Sequence, residues 1–417
     1  MRALQPALLA ALAIAGAVMA CTAPAPSPSP SPSPATSATT APAGSPGPTG
    51  AALEAEIAAI EADVPPLRGL AAEAAVPNRI LDEAGLRSEL ARLIDTSMTP
   101  QQFAAASRFG ERMGLLPAGT DLRAVQLGLL GDQVLGFYDR DTKAMTLVQR
   151  SADFGPLEKV TLAHEYTHAL QDQHFRLDAF GLDDITDGDR AIARLALIEG
   201  DATLLMTHWA ARHLTLAEAL TMTIQGLDPA QQAALTGLPP ILQRQLAFPY
   251  VDGFGFVTGI QANGGWGAVD TLYDRPPASS EQILHPARYV TDDEPVAVPI
   301  PDELGALGSG WSMSLSDTLG ELTVEVWLEP TAGTAAARTA AAGWGGDRVA
   351  MFEGPDGAWL IAWSTAWDTP ADALEFTTAA TATVASLHVR MVTEGPKKVS
   401  IYLASQAALL DRVRPLP

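Results

Sequence analysis

The chain has 417 residues, 47% hydrophobic and 18% charged, which is enough for two domains or one large domain with a buried core. Its formal net charge of −22 argues against nucleic acid or an anionic membrane surface as a partner, because both would repel it. The single cysteine, Cys21, excludes an internal disulfide framework.

Residues 1–21 have the pattern of a bacterial lipoprotein signal peptide. Met1-Arg2 gives a short positive start, the apolar run Ala3 to Ala20 follows, and Cys21 stands where the lipid would be attached. An ordinary secretory signal and an uncleaved membrane helix are the alternatives, but the run is Ala-rich and at the lower length limit for spanning a bilayer. We therefore expect a lipid on Cys21 to hold the chain on a membrane outside the cytoplasm, as its one membrane contact.

Residues 22–50 form the next segment and are dominated by Ala, Pro, Ser, Thr and Gly, with four Ser-Pro repeats between Ser27 and Pro34. A segment of this composition cannot bury a core, so it is predicted to be a disordered tether. Fully extended at about 3.1 Å per residue, as in polyproline, it would reach roughly 90 Å.

Residues 51–290 are predicted to form one domain that is mostly helical. Apolar residues at helical spacing predict a helix from Leu53 to a break at the two prolines 65 and 66, and a second helix from Ile80 to Ile94. A third helix is predicted to begin at Thr99, which can cap it. Further along, residues 133–138 and 144–148 are β-type runs separated by turn-forming residues, which predicts a hairpin.

The next helix is predicted to begin near Pro156 and contains the motif His164-Glu165-Tyr166-Thr167-His168, the pattern H-E-x-x-H. His164 and His168 lie one helical turn apart on the same face, so both imidazoles can bind one metal ion. Glu165 lies about 100° around the helix, where it can act on a water bound to that ion. The pattern predicts a catalytic zinc site with Glu165 as general base; a surface helix with two histidines is the alternative.

A catalytic zinc site needs a third protein ligand, and two residues compete for that role. His174 has the offset of the metzincin pattern, but that pattern needs a glycine at position 171, where this chain has Gln171. On an unbroken helix His174 would point about 80–90° away from His168 and lie ~9 Å further along. Glu199 lies on the apolar stripe of a later helix, where a carboxylate is costly unless a cation neutralises it. Glu199 is the predicted ligand, and an ion pair with an arginine is the alternative for it.

With these three ligands the chain resembles the gluzincin group of zinc peptidases, which includes the thermolysin-like enzymes. Residues 130–290 also resemble a family of poorly characterised bacterial zinc metallopeptidases. The resemblance implies a zincin-like catalytic domain, Zn²⁺ as cofactor, a peptide or protein substrate, and an edge strand beside the site that pairs with the substrate backbone. Many gluzincins have an aspartate four residues after the glutamate ligand; Thr203 stands there, so Asp201 and Asp172 are candidates to support the histidines.

Peptide hydrolysis at such a site also needs a hydrogen-bond donor for the negative charge that develops on the carbonyl oxygen of the substrate. Three side chains near the end of the domain could supply it: Tyr273, His285 and Tyr289. His285 ranks first because it is predicted to end a short helix capped by Ser279, and Tyr289 ranks second. A structural role for His285 is the alternative.

Residues 291–417 are predicted to form a Trp-rich α+β region that packs on the catalytic domain, and the fold class of the whole chain is therefore α+β. The predicted elements are a turn at residues 345–347, strands at 349–352, 358–364 and 399–403, and a helix at 371–385. Six of the eight tryptophans lie in this region. Core packing is the expected role for them, with carbohydrate or peptide binding as the alternative.

Together these features predict a surface-tethered zinc peptidase that acts outside the membrane. A non-catalytic, metal-containing lipoprotein that serves as a binding or assembly module is one alternative, and a cell-wall peptide amidase is another. Glu165 favours an enzyme, because a binding module has no use for a general base beside its metal.

Overall fold

A computed structural model of the protein describes residues 50–148, 154–226 and 229–413. The predictions for Cys21, for the signal peptide and for the tether up to residue 49 fall outside these ranges. Within them, no helix is long and apolar enough to cross a membrane. The α+β prediction is confirmed: helices surround a three-stranded sheet near the N-terminus and a five-stranded sheet in the C-terminal region.

The N-terminal part consists of helices around a small mixed sheet. Its elements are helix α1 (Ala51–Arg68), strand β1 (Asn78–Leu81), helices α2 (Glu83–Ser97), α3 (Pro100–Met113) and α4 (Leu122–Gln133), strands β2 (Gly136–Asp139) and β3 (Ala144–Val148), and helix α5 (Pro156–Phe175). Strands β2 and β3 form the predicted antiparallel hairpin, and β2 is at one edge of the sheet. The predicted cap of α3 is also present, with Thr99 and Gln102 forming a complete capping box.

Three predicted boundaries in this part are wrong: the hairpin begins at Gly136 and not at residue 133, which still belongs to α4, and the other two errors have tertiary causes. Helix α1 continues through both prolines to Arg68, because buried ion pairs of Arg68 fix its last turn. Ile80 belongs to β1 and not to a helix, because Asn78–Leu81 pairs in parallel with β3. Asp82 then caps α2 through the N–H of Gly85.

The middle part is helical. Its elements are α6 (Gly188–His213), α7 (Leu216–Gly226), α8 (Pro229–Thr236), α9 (Pro240–Asp274), α10 (Ser280–Leu284), α11 (Pro286–Val290) and α12 (Leu304–Leu307). Helices α6 and α9 cross at very short range: a Cβ added to Gly200 would lie 2.3 Å from the carbonyl oxygen of Gly253, and one added to Gly253 would lie 2.2 Å from that of Ala196. Any larger residue at this crossing would push the two helices apart.

The C-terminal part is built on an antiparallel sheet in the order β4-β5-β6-β8-β7. Its elements are β4 (Ser312–Asp317), α13 (Gly320–Ala332), α14 (Thr334–Ala341), β5 (Trp344–Glu353), β6 (Trp359–Trp367), α15 (Pro370–Thr383), β7 (His388–Thr393), β8 (Lys398–Ala404) and α16 (Ala407–Leu410). The predicted turn at residues 345–347 is wrong, because these residues are part of β5, which pairs with β6. One face of the sheet joins the hydrophobic core that also contains the N-terminal helices.

Most of the tryptophans of this region are core residues. Trp327, Trp344, Trp363 and Trp367 are buried. The indole N–H groups of Trp344 and Trp363 donate hydrogen bonds of 3.0 and 2.9 Å to the buried carboxylate of Asp347. These four side chains therefore have structural contacts, as expected for the core.

Candidate metal centre

Helix α5 carries the H-E-x-x-H motif on a buried segment. His164 and Glu165 are 0% exposed and His168 is 5% exposed, so the motif is not on a surface helix. The helix continues without a break past His174, whose Nε2 donates to the carbonyl oxygen of Ala71 at 2.7 Å. His174 thus points away from the motif, as the missing glycine at position 171 predicts.

His164, His168 and Glu199 bring three ligand atoms together. The distances to Glu199 Oε2 are 3.1 Å from His164 Nε2 and 3.4 Å from His168 Nε2, and the two Nε2 atoms are 3.1 Å apart. In the described ranges this is the one group of three potential ligand side chains whose donor atoms all lie within 4.8 Å. Three ligands of a tetrahedral zinc ion, each about 2.0–2.2 Å from it, would be about 3.3–3.6 Å apart. The arrangement fits a small divalent metal ion.

Unpaired polar atoms around the three ligands give a second indication of a metal or solvent site. Among the described residues, Glu165 Oε1, Glu199 Oε1, His164 Nδ1 and the hydroxyl of Tyr250 are buried without a hydrogen-bond partner. Buried polar atoms normally have partners, so the two carboxylate oxygens and the Tyr250 hydroxyl fit a bound ion or water molecule, whereas His164 Nδ1 lies on the far side of its ring from the cluster.

The protonation states of His168 and Glu199 depend on each other. Burial opposes a charge on either His168 or Glu199, but the carboxylate raises the pKa of His168 and the imidazole lowers the pKa of Glu199. A metal ion would take the place of the proton on His168, because only the neutral imidazole can bind it.

Gln171 orients His168. Its Oε1 lies 2.8 Å from His168 Nδ1, so that Nδ1–H donates and Nε2 keeps its lone pair for a metal. The amide Nε2 of Gln171 donates to the carbonyl oxygen of Ile198 and to Oδ2 of Asp201, both at 3.0 Å. The residue that replaces the metzincin glycine is therefore the direct partner of a metal-ligand candidate.

Asp201 lies at the centre of the hydrogen-bond network that holds Gln171 in place. It accepts hydrogen bonds from Arg68 Nε at 2.7 Å, from Arg68 Nη2 at 3.0 Å and from the Tyr273 hydroxyl at 2.7 Å, besides the one from Gln171. Arg68 is 0% exposed and also forms a 2.8 Å ion pair with Asp270. Of the two predicted supporting carboxylates, Asp201 acts on His168 through Gln171, whereas Asp172 binds the Tyr138 hydroxyl and Lys143.

Glu165 is held against the edge strand. Its Oε2 accepts the backbone N–H of Tyr138 in β2 at 2.9 Å, while its Oε1 is unpaired within the described part of the chain. Burial raises the pKa of Glu165 to about 8. One oxygen is thus fixed in position and the other is available for a proton.

Tyr250 of α9 was not predicted as a site residue. It is 2% exposed, and its ring centroid lies 6.3 Å from that of His164. Burial raises the pKa of its hydroxyl well above the usual value, and the nearby charges of Glu199 and Glu165 raise it further. Among the described residues the hydroxyl has no hydrogen-bond partner of standard geometry, although Glu199 is near, so it can donate to another group.

The structure places the predicted oxyanion donors in other contacts. Nε2 of His285 lies 2.8 Å from Oε1 of Glu321, and the Tyr289 hydroxyl donates to the carbonyl oxygen of Arg275 at 2.8 Å. These contacts include neither the three ligands nor Glu165. The helix-end position that ranks His285 first says nothing about its distance from α5, and the role of His285 and Tyr289 as oxyanion donors stays a prediction.

Part of the chain matches a family model, and the chain is similar to a solved structure. Residues 312–411, about a quarter of the chain, match the domain of unknown function DUF8575. No curated protein matches the chain. It is similar to a solved structure from Chloroflexus aurantiacus, described as a putative hydrolase with a novel fold, at 18% identity and a TM-score of 0.35, over 70% of this chain and 98% of that chain. A TM-score this low does not establish a common fold, so this similarity says nothing about the chemistry of the site.

Proposed function

We propose that the protein is a zinc-dependent peptidase with His164, His168 and Glu199 as metal ligands. The observation that carries this proposal is the convergence of the three ligand atoms beside a carboxylate oxygen of Glu165 that has no partner among the described residues. Two imidazoles and one carboxylate are a donor set of catalytic zinc sites, which leave a fourth position open. Zn²⁺ in such a site would polarise a scissile carbonyl and lower the pKa of a water molecule.

Each of the neighbouring side chains has a role in peptide hydrolysis. Glu165 accepts a proton from the attacking water and returns it to the leaving amine, using the oxygen that β2 does not hold. The Tyr250 hydroxyl donates a hydrogen bond to the carbonyl oxygen of the substrate as negative charge develops there. Gln171 and Asp201 keep His168 in the tautomer that can bind the metal. The edge of β2 lies beside Glu165, where an extended peptide could pair with it.

The proposed location is the outer side of a membrane, with a lipid on Cys21 as anchor. The pattern of residues 1–21 and the Pro-rich segment that follows support this location. A peptide or protein outside the cytoplasm would then be the substrate.

The decisive experiment combines metal analysis with peptide cleavage. We expect about one zinc ion per purified chain and cleavage of a random peptide library that a chelator stops and zinc restores. Glu165→Gln should keep its zinc and lose cleavage, because the amide cannot accept the proton. Glu158→Gln in the same helix is the matched control, since among the described residues Glu158 accepts the N–H of Gly155 and an amide oxygen can do the same.

The outcomes separate the possible functions. Zinc in the protein without chelator-sensitive cleavage of any library would refute the peptidase and favour the binding module. The complete burial of His164, Glu165 and Glu199 favours this second candidate, because a peptide substrate cannot easily reach a buried site. Cleavage confined to cell-wall peptides would assign the amidase instead.

A further inference from the structure

Helix α7 has an exposed apolar stripe. Leu216, Leu220 and Ile224 are 88%, 58% and 62% exposed, and their spacing of four residues places them on one face. On the other side, Met222 is buried in a hydrophobic cluster with Ile57 of α1. Single exposed apolar residues are common, but three large ones in a row on one helix face indicate a contact surface.

This stripe lies on the side of the molecule where the tether joins the folded part. Helix α1 begins at Ala51, directly after the predicted tether, and packs in the same cluster as α7. Lys159 of α5 forms an ion pair with Glu56 of α1 and lies within electrostatic reach of Glu218 in the first turn of α7. The start of the described chain and the start of α7 are therefore neighbours.

The chemistry of α7 fits a lipid surface of low charge. Glu218 is the single charged residue in Leu216–Gly226. Its side chain is half-buried, whereas the three stripe residues are exposed. An apolar helix face can lie about 5–10 Å deep in the headgroup and acyl boundary of a bilayer. The net charge of −22 disfavours an anionic surface, so the apolar stripe would be the main source of attraction.

We propose that the stripe of Leu216, Leu220 and Ile224 inserts into the membrane surface and seats the folded part there. The proposal rests on the proposed anchoring through Cys21, which keeps the bilayer within reach of α7. A single anchor at Cys21 would leave the folded part free to turn relative to the membrane. A second contact beside the tether fixes which side of the molecule faces the membrane and adds to the binding of the lipid.

The first test uses the full chain with Leu220→Cys, labelled with the environment-sensitive fluorophore nitrobenzoxadiazole and reconstituted in phosphatidylcholine vesicles. Insertion predicts blue-shifted emission and quenching by phosphatidylcholine that carries a nitroxide on its acyl chain. Leu374→Cys on α15 is the control, because Leu374 is 67% exposed and should keep water-like, unquenched emission. Equal behaviour of the two probes would overturn the proposal.

Other occupants of the stripe give different results. A blue shift that grows with protein concentration, without lipid quenching, would show that a second copy covers α7 and would overturn the proposal. A blue shift independent of both concentration and nitroxide would show that another segment of the chain covers it, with the same consequence.

The second test separates α7 from the anchor. In the full chain with Cys21→Ser, replacing all three stripe residues by serine should weaken partition into phosphatidylcholine vesicles by about 100-fold, whereas Leu374→Ser should not change it. Added anionic phosphatidylglycerol should not strengthen binding. No effect of the triple substitution would overturn the α7 contact and leave the peptidase untouched, because neither readout is enzymatic. Incorporation of label at Cys21 in the parent chain would refute the lipid anchor separately.

Discussion

Gly200 of α6 and Gly253 of α9 face each other with no room for a side chain between them. Gly200 directly follows the ligand candidate Glu199, and Gly253 lies one turn after Tyr250. Because the two backbones are in contact here, Glu199 and Tyr250 are set beside the same histidine pair. The position of the third ligand and the position of the hydroxyl donor thus depend on one helix crossing.

Substitution at this crossing should damage both stability and the site. Gly253→Ala would place a Cβ 2.2 Å from the carbonyl oxygen of Ala196, and we expect a loss of about 3 kcal/mol in the free energy of unfolding, with weaker zinc binding. Gly255→Ala in the same helix meets no atom within 4 Å and should gain about 0.5–1 kcal/mol. Urea unfolding of both variants measures the difference, and equal stabilities would contradict the close approach.

The support of His168 by Gln171 should appear in metal affinity. Gln171→Leu removes the acceptor for Nδ1–H and should weaken zinc binding by about 10–100-fold, measured by competition with a chelator. Asp201→Asn should act in the same direction through Gln171. Asp172→Asn is the matched control, since Asp172 contacts Tyr138 and Lys143 and its loss should leave the zinc affinity unchanged.

Tyr250 and Tyr289 can be compared directly as oxyanion donors. Tyr250→Phe should lower kcat on a cleaved peptide by about 100-fold, with zinc content unchanged. Its stability should not fall, because the hydroxyl has no hydrogen-bond partner within the described ranges. Tyr289→Phe loses a hydrogen bond to the Arg275 carbonyl and should keep its kcat. The reverse result would favour the assignment made from the sequence.

Glu353 should make stability depend on pH. Arg108 and Arg112 of α3, each with a nitrogen 2.7 Å from the carboxylate, hold it at the end of β5. The hydrogen bond from Arg108 is the largest effect that lowers the pKa of Glu353, to about 2 from the usual 4.5. A depressed pKa means that the stabilisation is complete above pH 4.5 and is lost as the pH falls towards 2.

Glu353→Gln therefore should cost about 2 kcal/mol in the free energy of unfolding at pH 7, after allowance for partial solvent screening, and progressively less towards pH 3. Urea unfolding at several pH values measures this difference. Glu375→Gln, at an exposed position of α15, should show no comparable effect. A difference between wild type and Glu353→Gln that stays constant with pH would argue against the ion pair.

The sequence predicts those features that depend on local geometry. His164, Glu165 and His168 need only a helix, and the helix follows from periodicity and from Pro156 at its start. Glu199 is predictable because a carboxylate interrupts an apolar stripe. The hairpin before α5 and the cap of α3 follow from turn and capping residues in the same way.

The remaining site residues depend on contacts between distant segments. Gln171 is visible in the sequence only as a missing glycine, and its role needs α6 beside α5. No feature of the sequence marks Tyr250, which lies in an apolar helix, as a site residue. It lies beside His164 only because α9 crosses α6. Arg68 looks like an ordinary basic residue at a helix end, yet it is fully buried.

Arg68 also constrains the order in which the segments of the chain can dock. Its partner Asp201 lies 133 residues later in the chain, and Asp270 later still. Docking α1 before these carboxylates are in place would bury an unpaired guanidinium, which is strongly unfavourable. Helix α1, the first helix in the described part of the chain, is therefore among the last to dock, and His168 gains its full support only after α6 and α9 are in place.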